Sequence, residues 1–316
     1  MDVNGDNLID IVSGSYSHTE PSVDMAGYFQ VLHGMPGGKW SAAQVLRGND
    51  DEPLLLPSSG EEQADLAKIC TRAFVADLDD DGNLDLVSGN FGGTFGWFRG
   101  EDAGGFAPES TWLQAAGKQM QVQMHSDPFL IDWDGDGDLD LLSGSAEGGA
   151  FLFTNVGSKA EPKFAAMQTL VEPGGGHLSV VTRGGEDLTE ARVARMPFGD
   201  AHLEGPSSST RVWADDVDGD GTLDLLIGDS ITLQFPLEGK SEAETRVALL
   251  AWEKKLQEIM QAIQPNADGV LDAAANDAFQ QHYQAKKGVL REEMTGFIWF
   301  FKGKAKGDGA KRAASD

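Results

Sequence analysis

Only one cysteine, Cys70, occurs in 316 residues. A lone thiol excludes an intramolecular disulfide, so stability has to come from packing or from bound metal. Cys70 itself reads as a small apolar residue leading into a strand. Basic residues are scarce too, with 24 Lys and Arg against 51 Asp and Glu and a net charge of −27. Such a field disfavours phosphate backbones and anionic lipid surfaces, so nucleic acid is not expected as a partner. No run approaches the roughly 18 apolar residues that a membrane helix needs, and no membrane span is expected. Familiar catalytic patterns are missing: there is no HExxH, no Gly-x-Ser-x-Gly, no Walker loop and no paired cysteines. His18, His33, His125, His177, His202 and His282 keep no metal-ligand spacing and read as solvated or capping residues. His125, just before a strand, and His202, in a long loop, are the two most worth locating.

What the chain has in excess is aspartate, set in one pattern four times. In DWDGDGDLD, residues 132–140, side-chain oxygens at the first, third, fifth and ninth places (Asp132, Asp134, Asp136, Asp140) can converge on one hard cation, and the seventh-place carbonyl of Asp138 adds another oxygen. Gly135 and Gly137 let the backbone turn so that these oxygens point inward. The other copies are Asp2, Asn4, Asp6 and Asp10 with Leu8 at the seventh place; Asp77, Asp79, Asp81 and Asp85 with Asn83; and Asp216, Asp218, Asp220 and Asp224 with Thr222. Each runs into an apolar segment ending in small residues, LIDIVSG, LDLVSG, LDLLSG or LDLLIG. The pattern predicts up to four Ca²⁺ ions, which would bring the charge from −27 to −19. Charge and backbone freedom predict tightest binding at loops three and four, weaker at loop two, where Asp80 replaces a glycine, and weakest at loop one, with three carboxylates.

An EF-hand loop begins the same way but needs a bidentate Glu at its twelfth place, at the head of a helix. Here the twelfth residues are Ser13, Ser88, Ser143 and Ile227, and the period that follows is that of a strand. With these loops the chain resembles the FG-GAP or VCBS repeat proteins, among them the calcium-binding blades of the integrin α-subunit head. The resemblance covers most of residues 1–235 plus 296–303. It implies a loop joining two strands of a propeller blade and an extracellular, periplasmic or cell-surface location. Near-millimolar calcium outside cells supports the same location. Met1 stands one residue before the first ligand, where a strand would be expected, so the natural chain is expected to begin earlier, with a signal peptide upstream.

Each unit reads as four strands. Third strands are opened by glycine at Gly27, Gly93, Gly149 and Gly296, each followed by aromatic or branched residues. Counting from the glycine places Trp97, Phe153 and Phe300 in one register, as an apolar layer between adjacent sheets. From the ninth place to that glycine the distance is 8 residues in repeat two, 9 in repeat three, 17 in repeat one and 72 in repeat four. The last value marks an insertion. Residues 241–263 open with a capping box, Ser241 and Glu244, and carry Leu249, Trp252, Leu256, Ile259 and Ile263 on one helical face. A second helical stretch is expected at roughly 271–293, making a hairpin whose apolar stripe packs on its partner helix. Asn266, Asp268 and Asp272 in the turn have the wrong spacing for a cation loop and read as turn and cap. Glycine clusters at Gly174 and Gly184 and the Gly205-Pro-Ser-Ser-Ser run mark long loops.

The expected architecture is all-β, a β-propeller of four-stranded blades at roughly 1–50, 70–115, 125–172 and 210–303, with a helical hairpin inserted at 240–294 and a disordered tail at 304–316. The expected function is a non-catalytic calcium-binding module of an exported protein that presents loops to a protein or carbohydrate partner. The alternatives are a calcium-dependent polysaccharide lyase or hydrolase and the scaffold part of a longer enzyme. A cluster of His, Lys, Arg or Tyr with free carboxylates at the central axis would favour the enzyme.

Overall fold

The computed structural model of the chain describes residues 1–16, 27–57, 66–101, 105–174, 182–183, 186–201, 203–262 and 273–304. His18, His177, His202, the Gly184 pair, the turn with Asn266, Asp268 and Asp272, and the tail from residue 305 lie outside them. The chain divides into two compact units. One comprises Met1–Pro173, Ser208–Asp229 and the chain from Ile298; the other comprises Gly174–Ser207 and Ser230–Phe297.

The first unit is a series of antiparallel sheets, each organised around one acidic loop. Glycine-rich places with left-handed backbone cannot continue a strand, while the branched and aromatic residues on either side pair readily as one. The loop therefore closes a hairpin. Its closing pairs are Ala76 with Asp85, Ile131 with Asp140, and Asp215 with Asp224. In repeat one Met1 takes the same part, its carbonyl accepting from the Asp10 N–H at 2.7 Å. Repeat two has four strands, Arg72–Ala76, Asp85–Gly89, Gly96–Phe98 and Thr111–Trp112, side by side in chain order. So does repeat three, with Asp127–Ile131, Asp140–Gly144, Ala150–Phe153 and Gln168–Val171. Among the described residues repeats one and four have three: Ile11–Ser13, Gln30–Leu32 and Gln44–Val45, then Arg211–Asp215, Asp224–Gly228 and Ile298–Phe301.

Because side chains alternate across a strand, neighbours along each second strand face opposite sheets. Leu86 joins Phe29, Val31 and Phe98 between repeats one and two. Val87 joins Trp97, Leu141 and Phe153 between repeats two and three. Leu142 joins Leu152, Leu225 and Ile227 between repeats three and four. Each fully buried aliphatic or aromatic side chain of this kind contributes roughly 1.5–3 kcal/mol.

The small residues that end each second strand have a steric cause. A Cβ on Gly14, Gly89 or Gly144 would stand 1.8, 2.1 and 2.1 Å from the carbonyl oxygen of Thr71, Ser126 and Thr210, the residue that opens the next sheet. The same residues hydrogen-bond across the join, the hydroxyls of Thr71, Ser126 and Thr210 accepting from the N–H of Ser15, Asn90 and Ser145 at 2.8–2.9 Å. Successive repeats are thus tied by one recurring contact.

One register expectation is corrected. Trp97 pairs with Val87 and Phe300 with Leu226, but Phe153 pairs with Leu141, so Leu152 is the residue equivalent to Trp97. The opening glycine is not the fixed reference, since repeat three has one more residue before it. Phe300 is half-exposed, so the buried aromatic layer does not extend to it.

In the second unit the helix Glu242–Ala262 begins at its capping box, with the Ser241 N–H donating to Glu244 at 2.8 Å. Leu249 and Trp252 are buried with Val193, Met196, Phe198 and Leu290. The stripe therefore packs on the short helix Thr189–Arg195 and on a strand as well as on the helix Ala273–Ala285. The second helical stretch is shorter than its sequence suggests: after Lys286–Gly288 the chain turns to strand, and Leu290–Thr295 pairs along its length with Ile231–Pro236. Glu253, which is buried, pairs with the half-buried Arg192 of the short helix.

Candidate metal-binding loops

Backbone conformation repeats across the four loops. Places four and six are left-handed every time, at Gly5 and Asn7, Asp80 and Gly82, Gly135 and Gly137, and Gly219 and Gly221. Asn and Asp tolerate that region best among residues with a Cβ, which is why Asn7 and Asp80 can stand in for glycine. The turn wraps the first-place carboxylate in N–H donors. Asp132 accepts from Gly135 at 2.7 Å and Gly137 at 3.0 Å, Asp77 from Asp81 and Gly82, Asp216 from Gly219, Asp220 and Gly221, and Asp2 from Gly5, Asp6 and Asn7. Fifth-place aspartates accept from the seventh-place N–H: Asp6 from Leu8, Asp81 from Asn83, Asp136 from Asp138 and Asp220 from Thr222, at 2.8–3.1 Å.

The ninth-place aspartate has a role that the sequence did not disclose. Asp10, Asp85, Asp140 and Asp224 are all buried. One oxygen of each accepts from the second-place N–H, of Val3, Leu78, Trp133 or Val217, at 2.9–3.2 Å. The other accepts from an N–H just past the third strand, of Gly34, Gly100, Asn155 or Gly303, at 2.6–2.8 Å. Each thus pins its loop to the third strand. In repeats one, two and four a glycine is needed at the pinned position, because a Cβ on Gly34, Gly100 or Gly303 would stand 2.7, 2.5 or 2.2 Å from the eighth-place carbonyl oxygen. The signal in the sequence is a glycine or asparagine two residues after the third strand's last apolar residue.

The expected ligands gather in three of the loops. Asp77, Asp79 and Asp85, then Asp132, Asp134 and Asp136, then Asp216, Asp218 and Asp224 each offer one oxygen within 4.8 Å of the others. Loop one, with Asn4 at its third place, forms no such trio among the described residues. Two buried oxygens of these loops have no hydrogen-bond partner, Oδ1 of Asp79 and Oδ1 of Asp138. Burial, with Asp136, Asp140 and Asp134 nearby, pushes the Asp138 carboxyl up to about 6. Burial also raises Asp85 and Asp140 despite their N–H donors, and raises Asp79 despite Arg99. Each trio is made of carboxylate oxygens alone, with no sulfur or imidazole, and could hold a metal ion.

Sequence reasoning also missed a position just outside the loops. Between each third strand and the pinning N–H stand His33, Arg99, Thr154 and Lys302. Arg99 pairs with Asp79 at 2.6 Å, and Lys302 pairs with Asp218 and, at 3.1 Å, with Asp220. His33 Nδ1 lies 3.3 Å from the Asn4 amide nitrogen and 3.5 Å from Asp10. Between loops three and four a cleft of about 790 Å³ is lined by Asp132, Asp134, Asp220, Phe301, Lys302 and Lys304, among others.

A second set of groups lies on the leading strands. Arg211 pairs with Asp127 at 2.6 Å, and these two and Arg72 each open their strand. Burial pushes Asp127 up to about 6 while the Arg72 charge opposes the rise. His125 is lowered by burial and then by Arg72, and tilts against Phe91 with ring centroids 4.6 Å apart.

Among the described residues no helix is long and apolar enough to cross a membrane. Residues 77–143, from the first place of loop two into the second strand of repeat three, match the family model of the FG-GAP-like repeat. No curated protein matches the chain significantly.

Proposed function

We propose that this chain, which carries an FG-GAP-like repeat, is a calcium-stabilised module of propeller-type blades, exported, that offers its loops to a protein or carbohydrate partner. The observation that carries the calcium reading is the recurrence of one cage, with left-handed places four and six, in four loops, and three carboxylates within 4.8 Å in three of them. Asp77, Asp79 and Asp85, Asp132, Asp134 and Asp136, and Asp216, Asp218 and Asp224 would hold the ions, with Asp81, Asp138, Asp140 and Asp220 in reach of the same loops; Asp2, Asn4, Asp6 and Asp10 would form the poorest site. A bound ion supplies positive charge that relieves the carboxylate crowding, and so adds binding free energy to folding. The blade reading rests on the four-stranded sheets of repeats two and three, the apolar layers between successive sheets and the recurring join at Gly14, Gly89 and Gly144. Blade boundaries near 1–50, 70–115, 125–172 and 210–303 belong to this reading. The cleft between loops three and four is where a partner would meet the cages.

Calorimetric melting tests the calcium reading: 1 mM calcium should raise the transition over the EDTA state by several degrees, reversibly. A transition indifferent to both additions sinks it.

One observation favours a second reading, an enzyme acting on acidic polysaccharide. Arg72 and Arg211 are suited to a sugar carboxylate, and Asp127, held up to about 6, sits beside them within hydrogen-bond reach of Arg211 as a proton carrier. Incubation with polyuronates separates the readings. New unsaturated or reducing ends that vanish in Asp127→Asn mark the enzyme, and retention on an immobilised glycan without cleavage marks the binding module.

A further inference from the structure

Each join between successive sheets repeats one apolar contact, and repeat four carries its half of that contact uncovered. At the start of the third strand Phe29, Phe95 and Ala150 hold the same place, and all three are fully buried against the following sheet. Phe29 meets Phe98 edge-on with ring centroids 5.8 Å apart, and Phe95 meets Phe153 in the same way at 5.9 Å. Ala150 shares its core with Phe301. The receiving residues are equivalent too, since Phe98, Phe153 and Phe301 pair with Leu86, Leu141 and Leu225 of their own second strands. In repeat four the residue that holds the place of Phe29 is Ile298, and it is 79% exposed. Phe300 beside it is half-exposed, although its counterparts Val31, Trp97 and Leu152 are buried. Cross-strand pairing through Leu226 puts the half-exposed Trp213 on the same face. Gly228, at the place that meets a carbonyl in the three joins, has nothing within 4 Å.

The receiving half of the contact recurs on repeat one. Leu32 pairs with Ile11 and so stands where Phe98, Phe153 and Phe301 stand in the later sheets, and Ile11 is 42% exposed where Leu86, Leu141 and Leu225 are buried. We propose that the outer face of repeat four is a docking surface for a second copy of this chain, received on the outer face of repeat one, with Ile298 of one copy packed on Leu32 of the other as Phe29 is packed on Phe98. Single exposed apolar residues are ordinary, but a contiguous row whose counterparts are all buried marks an interaction face. The two halves differ, so the contact is head-to-tail and not a face meeting its own copy. Charge opposes it. Two chains at −27 each repel at long range, whereas the apolar contact is indifferent to salt. Salt that shortens the reach of the repulsion should therefore tighten the association.

Sedimentation equilibrium of the full chain, from about 1 μM to about 1 mM, tests this. The wild type should gain mass with concentration, and its association should be at least about threefold tighter in ~0.3 M than in ~0.03 M NaCl. Ile298→Asp and Leu32→Asp should each weaken it by about tenfold or more. An equimolar mixture of those two variants should pair again, because one still has an intact repeat-one face and the other an intact repeat-four face. Melting checks that each variant is folded, and Ile11→Asp, at a more exposed place on the same face, replaces Leu32→Asp if that chain melts early. A chain that stays monomeric up to about 1 mM overturns the proposal. So does association that Ile298→Asp leaves as it was, or that weakens as salt rises. Association that survives both Leu32→Asp and Ile11→Asp but not Ile298→Asp would mean that repeat-four faces meet each other, and overturns the head-to-tail contact.

Discussion

Removing the carboxylate of Asp140 should destabilise the chain even when no calcium is present. Asp140 is fully buried, with one oxygen taking the Trp133 N–H at 2.9 Å and the other the Asn155 N–H at 2.7 Å. Asp140→Ala strips both donors of their acceptor in a place that water does not reach. Each orphaned buried donor costs roughly 1–3 kcal/mol, so the substitution should cost about 2–6 kcal/mol. Asp140→Asn keeps one acceptor oxygen but turns an amide donor toward the other N–H, and should lie about midway. Asp134→Asn, which retains an oxygen for the Asp136 N–H, should change stability by less than about 0.5 kcal/mol. Urea unfolding in EDTA separates this pinning role from any part in holding an ion. If Asp140→Ala loses less than about 1 kcal/mol there, the ninth-place aspartate is a ligand and no more, and the account of how the loop is tied to its strand is wrong.

Gly89→Ala, whose Cβ would stand 2.1 Å from the Ser126 carbonyl oxygen, should cost roughly 1–3 kcal/mol. Gly228→Ala, at the same place in repeat four with nothing within 4 Å, should be near neutral by urea unfolding; equal costs would refute the steric reading of the join. In EDTA the pH profile should show the raised carboxyl of Asp127: its folded value of about 6 exceeds the ordinary 3.8, so the stability it adds is complete below pH 3.8 and is lost as pH rises through about 6. The wild type should therefore lose more stability between pH 4 and 6.5 than Asp127→Asn does, and the reverse ordering would contradict the burial assigned to this group. Trp252→Ala, which removes a buried ring stacked on His282, should cost roughly 3–5 kcal/mol. Its effect should appear in the helical part of the circular dichroism melt, with calcium binding unchanged; an altered calcium isotherm would refute that separation.

The acidic loops, the strands that leave them and the capping box at Ser241 were legible because each is set by residues a few positions apart. Asp80 and Asn7 take the left-handed backbone that the loop pattern demands. The ninth-place pin was not legible, because its partner lies 15 residues on in repeats two and three, 24 in repeat one and 79 in repeat four. Only pairing of the second and third strands brings them together. Arg99 and Lys302 were missed for the same reason, since each meets its carboxylate only once the second and third strands have paired. Phe153 was misplaced by one because the register was counted from the opening glycine, although the distance from the ninth place to the pinned N–H is the constant one in repeats two and three. Residues 186–207 carry too little periodicity to reveal that Val193, Met196 and Phe198 complete the core under Leu249 and Trp252.

Calcium in the loops is the central claim, and a crystal grown with calcium chloride, read by anomalous difference density, tests it most directly. The account predicts a peak in loop three, about 2.3–2.6 Å from oxygens of Asp132, Asp134 and Asp136, with six to eight ligands in all. A loop three without a peak, its carboxylates spread apart and bound to water in a crystal that holds calcium, would contradict it.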